Sequence, residues 1–157
     1  MFCIRLRNRK TNGNTLRRGS AVLDAALVFP ILLLLTFGTV EYGYYFFIKH
    51  TMQGAAREGC RAGIVLNNSS TDVTTAVATY LKAAGLNAGS TSLDAKYTLK
   101  IEYPQGTTIN ASALSAGSAL FVTLQAQWGT IGQGFRPMAL IGSTKTVSGI
   151  AVMRKEG

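Results

Sequence analysis

The sequence is poor in the residue types that most catalytic and metal sites use. It has one histidine, His50, and only two cysteines and seven acidic residues in 157 positions. Cys3 and Cys60 are far apart, so they form neither a CxxC pair nor part of a Cys/His zinc cluster. The sequence also lacks a Walker-type phosphate loop and a GxSxG motif. It therefore predicts a protein that is not an enzyme and that uses no metal or cofactor.

Acidic residues are absent from the first 18 positions, where six of the sixteen basic residues lie. The rest of the chain carries ten basic and seven acidic residues, a net charge of +3 against +9 for the whole. Since the basicity comes mostly from a short tail without interleaved aromatics, nucleic acid is not an expected partner. Positive flanks stay on the cytoplasmic side of a membrane. Residues 1–19 are therefore predicted to be a basic cytoplasmic leader.

Charge is missing altogether between Ala25 and Val40, and after one glutamate the apolar character resumes and reaches Ile48. A membrane-spanning helix needs roughly 20 mostly apolar residues, and the aromatics at the far end fit an interfacial belt. We predict a single transmembrane helix over residues 20–48, with the N-terminus in the cytoplasm and the C-terminal part outside. The alternative, a buried helix of a soluble protein, fits poorly with four consecutive leucines inside a longer uncharged run.

A basic segment followed by an apolar one also begins a secretory signal peptide. Such a peptide ends in a small-x-small cleavage site, whereas this apolar run leads into the bulky sequence TFGTVEYGYYFF. Ordinary signal-peptide cleavage is therefore not expected, and an uncleaved signal anchor stays open as an alternative.

Asp24 lies where a membrane would favour an apolar side chain, and a carboxylate in that position is expected to have a partner. No basic residue lies within one helical turn on its C-terminal side, and Arg17 and Arg18 are six or seven positions before it, beyond helical neighbour spacing. If the chain were cut between Gly19 and Ser20, the new α-amino group would begin a helix whose fifth residue is Asp24. The amine of a neighbouring copy would then be a natural partner for the carboxylate.

Three segments of the chain resemble the TadE-like proteins, which are minor pilins (pseudopilins) of the tight-adherence (Tad, type IVc-like) pilus system. They are RRGSAVLDAALVFPILLLLTFGTVEYG at Arg17–Gly43, AAREGCRAG at Ala55–Gly63 and TKTVSGIAVMRKE at Thr144–Glu156. The resemblance implies a leader that a prepilin peptidase removes after Gly19, leaving Ser20 as the first residue and Asp24 as the acid at the fifth position. The family pattern usually has glutamate there, often followed by an aromatic, where this chain has Asp24 and Ala25.

The resemblance also implies a function and partners. The protein would be a minor pilin or pseudopilin that helps to assemble an adhesion pilus, located in a bacterial inner membrane or in the pilus itself. Its partners would be the membrane, other pilins or pseudopilins of the same system, the prepilin peptidase and the inner-membrane assembly platform. The alternative is an uncleaved, single-pass, membrane-anchored binding domain that never enters a filament.

Glu41 is the second acidic residue within the predicted span. Near the outer membrane boundary its carboxylate could simply reach water. The alternative is a contact between subunits, with Gly38 and Gly43 allowing close approach of two helix backbones. The family pattern has an acid at the matching place, which favours the second interpretation without deciding it.

Residues 49–66 are predicted to continue the helix as a stalk. Small residues recur there at three- and four-residue spacing, among them Ala55 and Gly59, and they allow close packing against the chain's own domain or against a neighbour. Cys60 lies in the same segment. A lone thiol of this kind is most often a small buried residue and less often forms an intermolecular disulfide.

Residues 67–157 are predicted to form an extracytoplasmic α+β domain. Val73, Val77 and Leu81 give a second helix one apolar stripe, with Asp72 or Thr71 as its cap and Gly85 at its end. Alternating patterns predict three strands, at residues 97–103, 120–128 and 144–153. A long N-terminal transmembrane helix that continues outward, a short second helix and a small antiparallel sheet with the helices on one face make a pilin-like α+β architecture.

Overall fold

The computed structural model of the protein describes residues 14–103, 107–131 and 137–156. The chain divides after Phe37 into two units, residues 1–37 and 38–157. Helix α1, Asn14–Ile64, supplies segments of both units. The part of the predicted leader that precedes residue 14 lies outside the described residues.

The first unit consists, in its described part, of the N-terminal portion of α1. Every residue from Gly19 to Phe37 is exposed, although nearly all of them are apolar. Pro30 lies inside the helix, where it cannot donate a backbone hydrogen bond. Thr36 Oγ1 donates to Leu32 O at 2.8 Å, so this hydroxyl is satisfied within the helix. A helix that exposes apolar side chains on all sides suits a bilayer.

The second unit is an α+β domain, which confirms the predicted fold class. It contains the remainder of α1, helix α2 (Ser70–Ala83) and the strands β1 (Tyr97–Glu102), β2 (Ala119–Gln127) and β3 (Thr146–Arg154). A single 3-10 turn at Ala111–Ala113 precedes β2, and the short helix α3 (Trp128–Ile131) follows it. The strands form one antiparallel sheet in the order β1-β2-β3. Segment 49–66, predicted as a helical stalk, is helical to Ile64.

The predicted strand 120–128 is wrong at its end, because β2 stops at Gln127 and Trp128 begins α3. The backbone N–H of Trp128 still donates to Lys145 O at 2.7 Å. The indole is fully buried, on the side that the alternation of β2 predicts, so only the backbone conformation departs from the prediction.

The core lies between the helices and one face of the sheet. The buried positions of β2 alternate as the sequence predicts, at Leu120, Val122, Leu124 and Ala126. Completely buried side chains from the helices meet this face: Ile48, Met52 and Ala55 from α1, and Val73, Val77 and Leu81 from α2. The opposite face of the sheet leaves Ile150 and Val152 exposed.

The start of α2 differs from the expectation that Asp72 or Thr71 caps the helix. Ser69 is the N-cap residue, and the Asp72 carboxylate accepts hydrogen bonds from its backbone N–H at 2.7 Å and from its hydroxyl at 2.9 Å. The bond from the Ser69 backbone holds the pKa of Asp72 below its usual value. Because the acid occupies the third helical position, it acts as the reciprocal partner of a capping box. Gly85, predicted to end the helix, adopts φ +73° just beyond it.

Candidate functional site

The predicted processing site lies on the exposed first part of α1. Gly19, Ser20 and Asp24 are all helical and exposed. No hydrogen bond or ion pair joins the Asp24 carboxylate to any residue whose side chain the structure describes. A Cβ added at Gly19 would meet nothing within 4 Å. The Gly19–Ser20 peptide bond is therefore reachable, and Asp24 is available to a partner outside the described chain.

Helix α1 is the one described helix that could cross a membrane by length and composition. The candidate span lies within Gly19–Ile64, has a mean hydropathy of 2.2 over its most apolar window and has none of that window buried in protein. Its exposed side chains include Leu23, Leu27, Phe29, Leu35 and Phe37. Exposed apolar area on this scale requires a covering phase, which a bilayer or a bundle of helices supplies.

Glu41 is buried, so the interpretation in which it simply reaches water is wrong. None of its surface is exposed, and its carboxylate accepts hydrogen bonds from the backbone of the loop before β3. Ile141 N donates to Oε1 at 3.1 Å and Met138 N donates to Oε2 at 3.4 Å. Burying a carboxylate is tolerable when backbone donors replace its water. The role of Glu41 between subunits stays a prediction.

The loop that holds Glu41 contains an unusual backbone conformation. Ala139 has φ +51°, a left-handed conformation that costs a non-glycine residue roughly 1 kcal/mol or more. It lies between Met138 and Ile141, whose N–H groups point at the carboxylate. The turn at Ala139 brings these two N–H groups, three positions apart in the chain, to the same carboxylate. The two charge-assisted bonds to the carboxylate offset the strain.

Aromatic side chains pack directly above Glu41 along α1. The ring of Trp128 meets Tyr45 edge-on with centroids 5.1 Å apart and meets Tyr44 at 5.9 Å. The indole Nε1 of Trp128 is buried and has no hydrogen-bond partner among the described residues. Such aromatic pairs stabilise a fold beyond the area that they bury. This cluster fixes the orientation of the sheet's end against the helix.

The predicted helix-packing residues fall into two groups. Ala55 and Gly59 are buried inside the second unit, and a Cβ on Gly59 would lie only 2.6 Å from Cγ2 of Val77. Gly38 is half-buried, with Leu140 Cδ1 3.4 Å from the position of an added Cβ, whereas Gly43 is exposed with nothing within 4 Å. Of the two packing alternatives for Ala55 and Gly59, the chain's own domain is the one observed.

Gly149 lies close to the backbone of α1. A Cβ at this position would collide with the carbonyl oxygen of Met52 and would lie 2.7 Å from the backbone N of Gln53. The side chain of Gln53 then bonds both backbone groups of Ile150, donating to its carbonyl and accepting from its N–H at 3.2 Å. At this point the strand lies against the backbone of α1, and the Gln53 side chain joins the two elements.

Cys60 is completely buried, as expected for a small core residue. Its sulfur lies 3.2 Å from Ala151 O and 3.7 Å from Leu120 O. Burial raises the pKa of the thiol to about 11, which keeps it protonated at physiological pH. A protonated, enclosed thiol is a poor nucleophile, so the geometry disfavours an intermolecular disulfide in the folded state.

We expect the protein to lose stability as the pH rises from 9 to 11. The thiol pKa of Cys60 rises from 9.0 to about 11 through burial, and burial, with the Asp94 charge, raises the pKa of Tyr97 to about 12. A group whose pKa is higher in the folded than in the unfolded state stabilises the fold fully below its unfolded pKa. This contribution is lost as the pH rises through the folded pKa. The Cys60 shift should lower the free energy of unfolding by about 2 kcal/mol over this interval, and the Tyr97 shift by about 1 kcal/mol more.

Urea titrations of the detergent-solubilised chain at a series of pH values measure this loss. Cys60→Ala, which removes the first group to titrate, should flatten the curve between pH 9 and the pKa of about 11. An equally steep curve in that variant contradicts the assignment to Cys60.

The described residues contain no group of three or more His, Cys, Asp or Glu side chains that could hold a metal ion. The sequence did not predict the contacts of Gln53, the backbone conformation of Ala139 or the close packing of Gly149. It predicted Trp128 only as a strand residue. For Gly149 a signal existed, since an isolated glycine inside a strand pattern indicates close backbone approach. The pairing of Glu41 with Ile141 joins positions 100 apart in the chain and has no local signal.

Residues 19–61 match the model of the TadE-like protein family, which confirms the resemblance over that segment. The match includes the candidate processing site, the exposed span and most of the small-residue face. Over these residues the chain is similar to TadE-like proteins. No curated protein and no solved structure matches the chain. The resemblance at Thr144–Glu156 lies outside the matched residues and stays a prediction.

Proposed function

We propose that the protein is a minor pilin or pseudopilin of a tight-adherence pilus, stored in a bacterial inner membrane before assembly. In this proposal α1 spans the bilayer, the N-terminus is cytoplasmic and the second unit lies outside. The observation that supports it is the coincidence, in residues 19–61, of the TadE-like match with a helix that exposes apolar side chains over its first part. The protein's role is mechanical, without a catalytic step or a cofactor.

Cleavage after Gly19 would create an α-amino group that can pair with the Asp24 carboxylate. Cleavage places Ser20 at the start of α1, with its α-amino group and the positive end of the helix dipole close to the first turn. An acid in that turn is stabilised by the dipole, and the shorter carboxylate of aspartate keeps the charge that the family's glutamate supplies. Glycine is a weak helix former, by about 1 kcal/mol relative to alanine. Gly19 therefore makes local unwinding at the scissile bond easier for the peptidase.

While the protein is stored in the membrane, the Asp24 carboxylate would have no protein partner. Assembly would supply one. A carboxylate inside a bilayer is costly alone, and pairing with a cation offsets the cost. In a bundle of α1 helices the amine of Ser20 in one subunit can meet Asp24 of the next, so the pair sets register along the filament. Gly43, which is exposed and open, would allow two helices to approach there. Other pilins and the inner-membrane platform are the proposed partners.

The mass and N-terminal sequence of the protein, purified from membranes with and without the prepilin peptidase, test this proposal. We expect a chain that begins at Ser20 only when the peptidase is present. A chain that keeps its basic leader in both strains leaves a signal-anchored extracytoplasmic domain and rejects the pilin route.

Asp24→Ala is expected to leave membrane insertion intact and to abolish incorporation into filaments. Removing one charge makes the span more apolar, so insertion improves, but the amine of the neighbouring subunit loses its partner. Fractionation measures insertion, and counting pili on cells measures assembly. Asp24→Glu, which keeps the charge, serves as the matched control and should restore piliation. Normal piliation in Asp24→Ala rules out the register role.

A further inference from the structure

The loop at residues 137–142 is fastened to α1 where the second unit begins. The buried carboxylate of Glu41 accepts hydrogen bonds from Met138 N and Ile141 N. One residue away, Leu140 Cδ1 packs 3.4 Å from the position that a Cβ on Gly38 would occupy. The loop is therefore held in place against the helix by two charge-assisted bonds and one apolar contact.

The loop nevertheless turns apolar side chains outward. Met138 is 39% exposed and Leu140 is 46% exposed, and on α1 the residues that flank Glu41, Val40 and Tyr42, are 40% and 50% exposed. We call these four residues the collar. Neighbours in a helix point about 100° apart, so Val40 and Tyr42 flank the helix position that carries the loop. An exposed apolar patch of this kind indicates a binding surface.

The length of α1 puts the collar at a membrane boundary. The exposed apolar segment from Gly19 to Phe37 spans about 28 Å at a rise of 1.5 Å per residue, which matches a hydrocarbon core of about 30 Å. Beyond it α1 is covered by protein on one side only, because Glu41 and Ile48 are fully buried while Phe46 and Phe47 are about half exposed. The collar therefore lies where α1 stops being exposed on all sides.

The chemistry around the collar fits a lipid interface better than a protein surface. None of its four side chains is charged, and Tyr42 combines an apolar ring with a hydroxyl that can reach headgroups. Lys145 lines a shallow hollow together with Tyr42, Tyr45 and Ile141. Lys145 is exposed and forms no ion pair with a described residue. A cation beside an apolar patch suits the phosphates of anionic lipids.

We propose that the collar is a second membrane contact, in which Met138 and Leu140 enter the outer boundary of the bilayer that α1 crosses. Lys145 then lies at the level of the lipid phosphates, and Glu41 is a positioning residue that holds the loop. This inference rests on the proposed function in one respect, that α1 spans a membrane. It adds that the folded domain is seated on the lipid surface before assembly.

Depth-dependent fluorescence quenching tests the inference on the full chain. Single cysteines are introduced by Met138→Cys or Leu140→Cys in a Cys3→Ser background, where the buried Cys60 is not accessible to label. Each protein is labelled with nitrobenzoxadiazole and reconstituted into vesicles of phosphatidylcholine with a minority of phosphatidylglycerol. Nitroxide lipids carry the quencher near the headgroup or deep in the acyl chain.

Two further positions serve as references for the collar. Val152→Cys is the matched control, because Val152 is apolar and 51% exposed but lies on β3. Leu33→Cys reports the span itself. We expect shallow quenching at 138 and 140 that exceeds that at 152 by about threefold or more, as for an interfacial segment, with deep quenching at 33.

Each of the other outcomes overturns one part of the inference. Deep quenching at 33 without quenching at 138 and 140 rejects the collar contact and leaves the membrane span intact. No quenching at any position, 33 included, rejects the span on which the proposed function rests. Protection at 138 and 140 together with disulfide cross-linking between copies in detergent makes the collar a subunit interface and also overturns the lipid contact.

Discussion

Gly149→Ala is expected to lower the free energy of unfolding by about 3 kcal/mol or to prevent folding of the second unit, since overpacking costs 1–3 kcal/mol and occasionally more. The added methyl group would collide with the Met52 carbonyl and crowd the backbone N of Gln53. Backbone atoms of a helix cannot move aside as the end of a flexible side chain can. To make room, β3 must shift away from α1, which opens the core around Met52 and Val147.

Urea unfolding of the detergent-solubilised full chain measures this effect, with fluorescence of the single tryptophan, Trp128, as the probe. Gly142→Ala is the matched control, because an added Cβ there meets nothing within 4 Å. Its stability should change by less than about 0.5 kcal/mol, as for most surface substitutions. Equal midpoints for the two variants would falsify the close approach of β3 and α1.

Glu41→Ala is expected to cost about 2–4 kcal/mol of stability and to free the loop before β3. The buried N–H of Ile141 and the partly buried N–H of Met138 lose their acceptor, and leaving a buried donor unsatisfied costs about 1–3 kcal/mol. The strained conformation of Ala139 also loses the bonds that offset it. Glu41→Gln keeps one carbonyl oxygen, so we expect it to lose about half as much.

Hydrogen exchange separates this local effect from a general loss of stability. In Glu41→Ala the amides of Met138 and Ile141 should exchange faster than the global unfolding rate explains, while those of β2 should follow global unfolding. Glu58→Ala is the control, since Glu58 is 46% exposed and forms only a 4.0 Å contact with Arg61. Unchanged exchange at both amides in Glu41→Ala contradicts the positioning role.

Periodicity was sufficient to predict the main elements of this fold. The uncharged run and the small-residue spacing predicted α1, and strict alternation predicted the buried face of β2 from Leu120 to Ala126. Both signals are local, because a helix or a strand buries one side of its own sequence. The errors lie where the tertiary structure overrides the pattern. Trp128 begins α3 instead of ending β2, although its indole is buried as predicted, and Ser69 takes the N-cap position that Asp72 or Thr71 was predicted to fill.

The candidate site could be predicted only in part. Asp24 was predicted because a charge in an apolar run needs an explanation, Gly19 and Ser20 followed from the resemblance, and the roles of all three stay predictions. Glu41 was found for the same reason as Asp24, but its partners lie on a loop about 100 positions away and are backbone groups, which carry no sequence signature. The left-handed conformation of Ala139 was equally invisible, since alanine rarely adopts it.

The hydrogen bonds between Gln53 and Ile150 affect how copies of the protein can aggregate when they are crowded together. β3 is the last strand of the sheet, and a last strand with unpaired backbone groups invites strand addition from another molecule. Gln53 occupies the outward N–H and carbonyl of Ile150, and at the other end of the sheet Ile109 N donates to the outward carbonyl of Ile101. Both margins are thus partly closed to sheet growth between copies. Strand addition between crowded copies, the first step of β-aggregation, is thereby opposed at both margins.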